Sequence, residues 1–310
     1  MSIIERVAEL LGPIERPNSK SSVPEEKGGI PDLDPIERAV SEITERSGFP
    51  EARKLTAQPE AKTRPARPTS RTAQSVRVDR DQLRRQSMIT PDGERSPIAE
   101  SFRRIKRQIL ANVASSKPGA PANLVMVTSA LTGEGKTFCA INLAISIALE
   151  MDHTVLLVDA DVANPSVPQA LGVEAEKGLM DVLLDRRIDL AEVLCKTDID
   201  KLTILPAGTA HQHATELLAS DAMRVLLQEM AERHRDRIVI FDSPPLLAAS
   251  EAGVLASQMG QIVMVVEAEK TTEAALKNAL DRIDSSNVAG LVLNKADGPG
   301  LEYGYGYGAK

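Results

Sequence analysis

The sequence predicts an α/β domain with a mostly parallel sheet covered by helices on both faces. Short, continuously apolar runs recur after residue 121, and stretches of helical periodicity separate them. Runs of this kind are typical of strands whose two faces are both buried. Their alternation with helices indicates a parallel sheet. The six predicted strands are 123–129, 154–160, 202–208, 237–243, 261–267 and 288–294. The clearest helical stretches are 136–150, 214–234 and 271–284.

Composition and charge exclude several other classes. The 310 residues carry a formal net charge of −7, which argues against a wholly basic nucleic-acid binder, and no nucleic-acid partner is expected. Two cysteines, Cys139 and Cys195, cannot form a disulfide framework and fit a reducing compartment. No run approaches the roughly 18 apolar residues of a membrane span, so a cytoplasmic location is expected.

The N-terminal region differs in composition from the rest of the chain. Residues 59–75 are rich in Pro, Ser, Thr, Lys and Arg, and such segments bury too little apolar surface to offset the entropy of ordering. Residues 3–11 and 36–43 carry short amphipathic patterns that predict helices. The predicted regions are a mostly disordered N-terminal segment, a main domain and a flexible tail, at 1–85, 86–300 and 301–310.

A glycine-rich loop follows the first predicted strand. Residues 130–137 match the phosphate-loop pattern G-x-x-x-x-G-K-[ST], except that Ala130 replaces the first glycine. The strand before the loop and the helix after it are the context in which this motif binds phosphates through backbone N–H groups. Lys136 is expected on the terminal phosphates and the Thr137 hydroxyl on Mg²⁺. The predicted nucleotide-binding residues are Thr132, Gly133, Glu134, Gly135, Lys136, Thr137 and Phe138.

Acidic residues stand at the ends of two further strands. Asp159 and Asp161 follow the apolar run VLLV at the end of the second predicted strand, and Asp242 follows the apolar run IVIF of the fourth. The carboxyl ends of parallel strands meet at the ligand crevice, so these side chains are expected beside the phosphate loop. Phosphoryl transfer needs such groups for positioning and charge neutralisation. The predicted catalytic residues are Lys136, Asp159, Asp161 and Asp242, and the predicted metal ligands are Thr137, Asp159 and Asp242.

The last predicted strand ends in Asn294-Lys295-Ala296-Asp297, which has two interpretations. The tetrapeptide matches N-K-x-D, the guanine-reading motif of GTPases. Alternatively, only Asn294 acts, by contacting adenine from the end of its strand. Asn294 is the predicted base-contacting residue in either case.

All three tyrosines of the chain lie in its last eight residues, as Tyr303, Tyr305 and Tyr307. The intervening glycines predict an extended tail whose phenols can reach a deep site. Beside a phosphate loop, these phenols become candidate phosphate acceptors. Because a phenol has a pKa near 10, its attack needs a base, for which Asp159 and Asp161 are the candidates.

Together these motifs resemble those of the bacterial tyrosine kinases, a branch of the MinD/ParA-like P-loop ATPases, over about residues 97–310. The resemblance rests on the TGEGKT loop, the VLLVDAD and VIFDSPP segments, the tyrosine tail and a charged stretch before the first strand. In that stretch Glu100, Arg103 and Lys106 are close to the family's E-x-x-R-x-x-R oligomerisation motif. Within this family, the sequence is most similar to those of the stand-alone autokinases encoded with exosortase and exopolysaccharide loci.

The resemblance implies an ATP- and Mg²⁺-dependent autokinase that phosphorylates tail tyrosines of a neighbour within a homo-oligomeric ring. It further implies control of exopolysaccharide biosynthesis, a cognate tyrosine phosphatase, and a peripheral position at the membrane through a chain-length-determinant-type polysaccharide co-polymerase. Residues 51–110, with 15 Lys/Arg against 7 Asp/Glu, are a candidate contact for such a partner or for anionic lipid.

Two departures from the family pattern bear on this expectation. Ala163-Asn164-Pro165 stands where members usually carry a basic residue, and Leu131 stands where MinD/ParA proteins carry a signature lysine. Leu131 favours the kinase branch. The main alternative is a MinD/ParA-like positioning ATPase whose tail is a binding motif.

Overall fold

The computed structural model describes residues 73–93, 96–117, 119–233, 236–284 and 287–296. In these ranges eight strands form a single sheet in the order β1-β4-β5-β3-β6-β2-β7-β8. Neighbouring strands are parallel except for the pair β4 and β5. The strands are β1 (Gln74–Val76), β2 (Leu124–Ser129), β3 (Thr154–Asp159), β4 (Cys195–Thr197), β5 (Leu202–Leu205), β6 (Arg237–Asp242), β7 (Gln261–Glu267) and β8 (Val288–Asn294).

Ten helices lie in the same ranges and connect the strands. They are α1 (Arg80–Arg85), α2 (Pro97–Ser115), α3 (Lys136–Ala148), α4 (Val167–Leu171), α5 (Leu179–Leu184), α6 (Leu190–Val193), α7 (Ala214–Leu218), α8 (Asp221–Arg233), α9 (Ser250–Ala256) and α10 (Glu273–Leu280). Among the described helices, none combines the length and the apolarity that crossing a bilayer requires.

The central strands are covered on both faces. Successive side chains of a strand point to opposite faces, yet every residue of β2 is buried. Val125 and Val127 join the core formed with α2 and α3, whereas Leu124 and Met126 are equally buried on the other face. This two-sided burial explains why the sequence of the strand is continuously apolar, and it confirms the predicted fold class.

Helix α3 passes through the core directly behind the phosphate loop. Its sequence is apolar almost all the way round, and eleven of its thirteen residues are buried. A helix of this kind has no solvent-facing stripe and is fixed by packing on every side. Its N-terminus is therefore held firmly at the carboxyl end of β2, where the site lies.

All six predicted strands are present, with ends within two residues except at 202–208, which is shorter. Residues before the predicted boundary of 85/86 contribute to the sheet and its core, because β1 pairs with β4 and Leu83 of α1 is buried in the core. The predicted helix 214–234 is two helices, since the Ser220 hydroxyl accepts a hydrogen bond from the Met223 N–H at 3.3 Å and so caps α8. The predicted N-terminal helices, Asp297 and the three tyrosines lie outside the described residues.

Candidate active site

The phosphate loop joins β2 to α3 and takes a conformation that its glycines permit. Gly133 and Gly135 have φ angles of 83° and 95°, in the left-handed region that side chains with a Cβ rarely adopt. A Cβ on Gly135 would lie 2.1 Å from Asn294 Nδ2. The end of β8 therefore packs directly against the loop, which leaves room only for glycine.

Asn294 contacts the loop through its side-chain amide. Its Nδ2 donates a hydrogen bond to the carbonyl oxygen of Glu134 at 2.8 Å, and the neighbouring Lys295 donates to the carbonyl of Gly133 at 2.6 Å. These contacts give Asn294 a role in supporting the loop, beside the base contact predicted for it.

Thr137 and Asp242 form the metal-facing side of the site. The Thr137 hydroxyl, in the first turn of α3, donates a hydrogen bond at 2.6 Å to Oδ2 of Asp242, at the end of β6. The Ser166 hydroxyl, just before α4, lies 2.9 Å from Thr137 Oγ1. Three oxygen-bearing side chains from three parts of the chain therefore meet at one point.

Asp159 and Asp161 complete the acidic cluster beside Lys136. Asp159 Oδ2 accepts hydrogen bonds from the N–H groups of Ser166 and Val167 at 3.0 and 2.9 Å, which holds the start of α4 against the end of β3. Lys136 Nζ lies 3.6 Å from Asp161 Oδ2. The Lys136 ammonium thus lies beside the carboxyl groups of three aspartates, and all four side chains are buried.

Each of the three aspartates keeps one oxygen unpaired. Oδ1 of Asp159, Asp161 and Asp242 is buried and has no hydrogen-bond partner within the described part of the chain. Burial raises the pKa of Asp242 to about 8 and that of Asp159 to about 6, and it raises the pKa of Asp161 as well. Unpaired buried carboxylates of this kind are costly, and a cation is the usual partner that compensates them.

The donor set suits Mg²⁺ in the way that nucleotide enzymes hold it. Within the described ranges, no three His, Cys, Asp or Glu side chains form a ready-made metal cage. Mg²⁺ rarely uses such cages and is held by one or two carboxylates, a hydroxyl and phosphate oxygens. Thr137, Asp242 and Asp159 provide these groups, so the residues fit the ion.

Comparison with known proteins agrees with this geometry. A family profile described as an AAA domain matches residues 122–289. The tyrosine-protein kinase YwqD of Bacillus subtilis (strain 168) is 31% identical over 239 residues, which cover 76% of this chain and 97% of YwqD.

The chain belongs to the bacterial tyrosine-protein kinase family.

Another relative is a longer protein. The succinoglycan biosynthesis transport protein ExoP of Rhizobium meliloti (strain 1021) is 34% identical over 224 residues, which cover 69% of this chain and 27% of ExoP. The fold is similar to that of the chimerical protein CapA2B2, with a TM-score of 0.60 and 24% identity over 73% of this chain and 95% of that one. The chain therefore spans nearly all of YwqD and about a quarter of ExoP.

The structure corrects the prediction that Glu100, Arg103 and Lys106 lie along one face of α2. Lys106 is turned inward: it is 6% exposed, its Nζ donates to the carbonyl of Ser146 at 3.2 Å, and it pairs with Glu150. A three-residue step falls about 60° short of a full helical turn, so Lys106 lies about 120° round α2 from Glu100. Glu100 and Arg103 pair with each other at 2.6 Å on the exposed side.

Phe138 also serves the core. Its ring packs edge-on against Phe102, with centroids 6.4 Å apart. The Phe138 side chain is half-buried against the core. Thr132, by contrast, is exposed at the tip of the loop.

Three residues of the site were not predicted from the sequence. Ser166 meets Thr137, Lys295 contacts Gly133, and the Thr271 hydroxyl donates to the carboxylate of Glu134. Ser166 stands five residues after Asp161, and Lys295 lies inside the tetrapeptide already noted. Thr271 carries no signal in a single sequence, because only the folding of the loop after β7 brings it to the phosphate loop.

Proposed function

We propose that this chain is an ATP- and Mg²⁺-dependent tyrosine autokinase that transfers the γ-phosphate of ATP to Tyr303, Tyr305 and Tyr307. The observation that carries the proposal is the cluster of buried carboxylates with unpaired oxygens, set beside Lys136 and Thr137 at the mouth of a phosphate loop. Membership of the tyrosine-protein kinase family supports phosphoryl transfer to tyrosine as the reaction.

The residues of the site divide the work of this reaction. Backbone N–H groups of the loop and the Lys136 ammonium hold the phosphates. Thr137, Asp242 and Asp159 would hold Mg²⁺, which supplies neutralisation of the charge on the phosphate oxygens. Burial keeps bulk water away and strengthens each of these electrostatic interactions.

The transfer itself needs a proton acceptor. The tyrosine oxygen forms a bond to the γ-phosphorus, the bond from that phosphorus to the β–γ bridging oxygen breaks, and ADP leaves. The phenolic proton passes to a carboxylate. Asp161 and Asp159 are the candidates, and their raised pKa values make them better bases near neutral pH than an ordinary carboxylate. Asp161 is the more accessible of the two, at 7% exposed against 0%.

The tail is the proposed acceptor because the chain has no other tyrosine. Each added phosphate brings a charge of about −1.5 to −2. In the proposed arrangement the tail of one copy enters the site of its neighbour in a ring, where Glu100 and Arg103 contribute to the contact between copies. Phosphorylation of all three tyrosines would then add negative charge to a chain whose net charge is already −7, and the repulsion between copies would favour disassembly.

The proposed setting is the control of exopolysaccharide production at the inner face of the membrane. The name of ExoP, a succinoglycan biosynthesis transport protein, supports a link to polysaccharide export. A separate chain-length-determinant-type co-polymerase would bring the kinase to the membrane, with the cationic segment 51–110 as the candidate contact. A cognate tyrosine phosphatase would reverse the modification.

A mixture of two variants tests the proposal. Lys136→Met keeps the tail but loses phosphate binding, and the triple variant Tyr303→Phe, Tyr305→Phe, Tyr307→Phe keeps the site but loses the acceptors. Neither alone should form phosphotyrosine with ATP and Mg²⁺, whereas the mixture should label the tail of the Lys136→Met chain. ATP hydrolysis by the wild-type chain without any phosphotyrosine would overturn the proposal in favour of a positioning ATPase.

A further inference from the structure

The phosphate loop is held from outside by the ends of two neighbouring strands. From the end of β8, Lys295 Nζ donates to the carbonyl of Gly133 at 2.6 Å, and Asn294 Nδ2 donates to the carbonyl of Glu134 at 2.8 Å. From the segment between β7 and α10, the Thr271 hydroxyl donates to the carboxylate of Glu134. Three side chains outside the loop therefore contact two consecutive loop residues.

The Glu134 carboxylate is the centre of this arrangement. Its side chain is buried, with 1% of the residue exposed, and its Oε2 accepts a hydrogen bond from the Leu131 N–H at 2.7 Å. Its Oε1 is paired with Thr271. The Thr271 hydroxyl accepts from the N–H of Glu267 at 3.1 Å, so its own proton is directed at Glu134. The Glu134 carboxylate therefore binds Leu131 within the loop and Thr271 after β7 at the same time.

Glu267 links the two supporting strands to each other. Its carboxylate lies 3.3 Å from Lys295 Nζ, the same ammonium that contacts Gly133. Glu267, at the end of β7, therefore contacts both Thr271 and Lys295. Neither belongs to the phosphate-loop motif.

The direction of these contacts determines what the loop presents to a nucleotide. A peptide unit is planar and trans, so its N–H points opposite to its carbonyl. Lys295 and Asn294 draw the carbonyls of Gly133 and Glu134 outward, and the N–H groups of Glu134 and Gly135 must then point to the other side. That is the side on which a phosphate loop binds phosphates. Donors fixed in this way need no reorganisation when the anion arrives.

We propose that Thr271, together with Lys295, is a positioning residue that holds the phosphate loop in its phosphate-binding shape and so sets the affinity for the nucleotide. The proposal rests on the proposed function only in requiring that the loop bind a nucleoside diphosphate with Mg²⁺. It does not depend on tyrosine as the acceptor. Its ligand probe is therefore Mg·ADP.

Thr271→Val removes the hydroxyl with little change in shape. The Glu134 oxygen is then buried without its donor, and this loss destabilises the phosphate-binding conformation of the loop. We expect the affinity for Mg·ADP to fall about tenfold, which corresponds to about 1.4 kcal/mol. Thr271→Ser restores the donor and should bind within about twofold of the wild type. Lys295→Met should weaken binding about three- to fivefold, because its ammonium is half exposed.

The adjacent threonine provides a matched control. Thr272 caps α10, because its hydroxyl accepts from the Ala275 N–H at 3.2 Å instead of donating to the loop. Thr272→Val makes the same chemical change and should lower thermal stability as a lost helix cap does. Its affinity for Mg·ADP should stay at the wild-type value.

Calorimetric titration of the 310-residue chain and of each variant with Mg·ADP, together with thermal unfolding, tests the proposal. Wild-type affinity in Thr271→Val, equal losses in Thr271→Ser and Thr271→Val, or an equal loss in Thr272→Val would each overturn the proposal. A wild-type chain that binds Mg·ADP but forms no phosphotyrosine would refute the proposed kinase function and leave the role of Thr271 standing.

Discussion

The buried carboxyl group of Asp242 predicts an unusual dependence of stability on pH. Asp242 is 0% exposed, and burial raises its pKa from the ordinary value of 3.8 to about 8. Between these two values the folded protein keeps a proton that the unfolded chain has lost. The free energy of unfolding therefore falls as the pH rises through this interval, because ionisation favours the unfolded chain.

The size of the effect follows from the width of the interval. Each pH unit between the two pKa values removes somewhat more than 1 kcal/mol, so the rise from pH 5 to pH 7 removes roughly 3 kcal/mol. For a domain of this size that is a fall in melting temperature of about 5–10 °C. Asp242→Asn cannot ionise and should lose this part of the slope. It keeps the smaller contribution of Asp159, whose pKa of about 6 limits its effect to lower pH.

Thermal unfolding in the presence of EDTA at pH 5, 6 and 7 measures the slope. The control is Asp236→Asn, the same substitution at an exposed carboxylate one residue before β6. We expect Asp242→Asn to be more stable than the wild type at pH 7 and to have a flatter profile, whereas the control should follow the wild type. An Asp242→Asn profile as steep as that of the wild type would refute the assignment of a buried, protonated carboxyl group at this position.

Three further predictions concern the loop, helix α2 and the core. Gly135→Ala should abolish detectable Mg·ADP binding in calorimetry, because a Cβ there meets Asn294 Nδ2 at 2.1 Å on a backbone with φ 95°; retained binding would contradict the loop geometry. Lys106→Met should lower the free energy of unfolding by about 1–3 kcal/mol, because the pair with Glu150 is lost. The loss should be the same at low and high protein concentration. A loss of stability seen only at high concentration would instead indicate that Lys106 contributes to contacts between copies of the chain. Burial raises the pKa of Cys139 to about 12, so its thiol should resist alkylation at pH 8 until the protein unfolds, and rapid alkylation of the native protein would show that it is accessible.

The sequence was sufficient for the central part of the fold, and its motifs brought the predicted site residues to one edge of the sheet. Continuous apolar runs identified the six strands, and four of them, β2, β3, β6 and β7, are buried on both faces. The loop motif put Lys136 and Thr137 at the start of α3, where they lie beside Asp161 and Asp242. Strands β1 and β4 were missed because each has only three residues and lies at or near the edge of the sheet, where no periodic pattern develops.

The errors and omissions at the site have a common origin in long-range packing. The charge pattern of α2 placed Lys106 on an exposed face, but its partner Glu150 follows α3, outside any local pattern. Ser166 and Thr271 reach the loop only after the connections following β3 and β7 have folded back over it. Such contacts depend on tertiary structure, and no residue spacing within a motif encodes them.

The position of the phosphate distinguishes a tyrosine autokinase from the alternatives. After incubation of the 310-residue chain with ATP and Mg²⁺, peptide mass spectrometry should find one to three phosphates, all in the peptide that contains Tyr303, Tyr305 and Tyr307, and none in the Lys136→Met chain. Phosphate on serine, threonine or histidine elsewhere, or a tail that stays unmodified while ATP is consumed, would contradict the account.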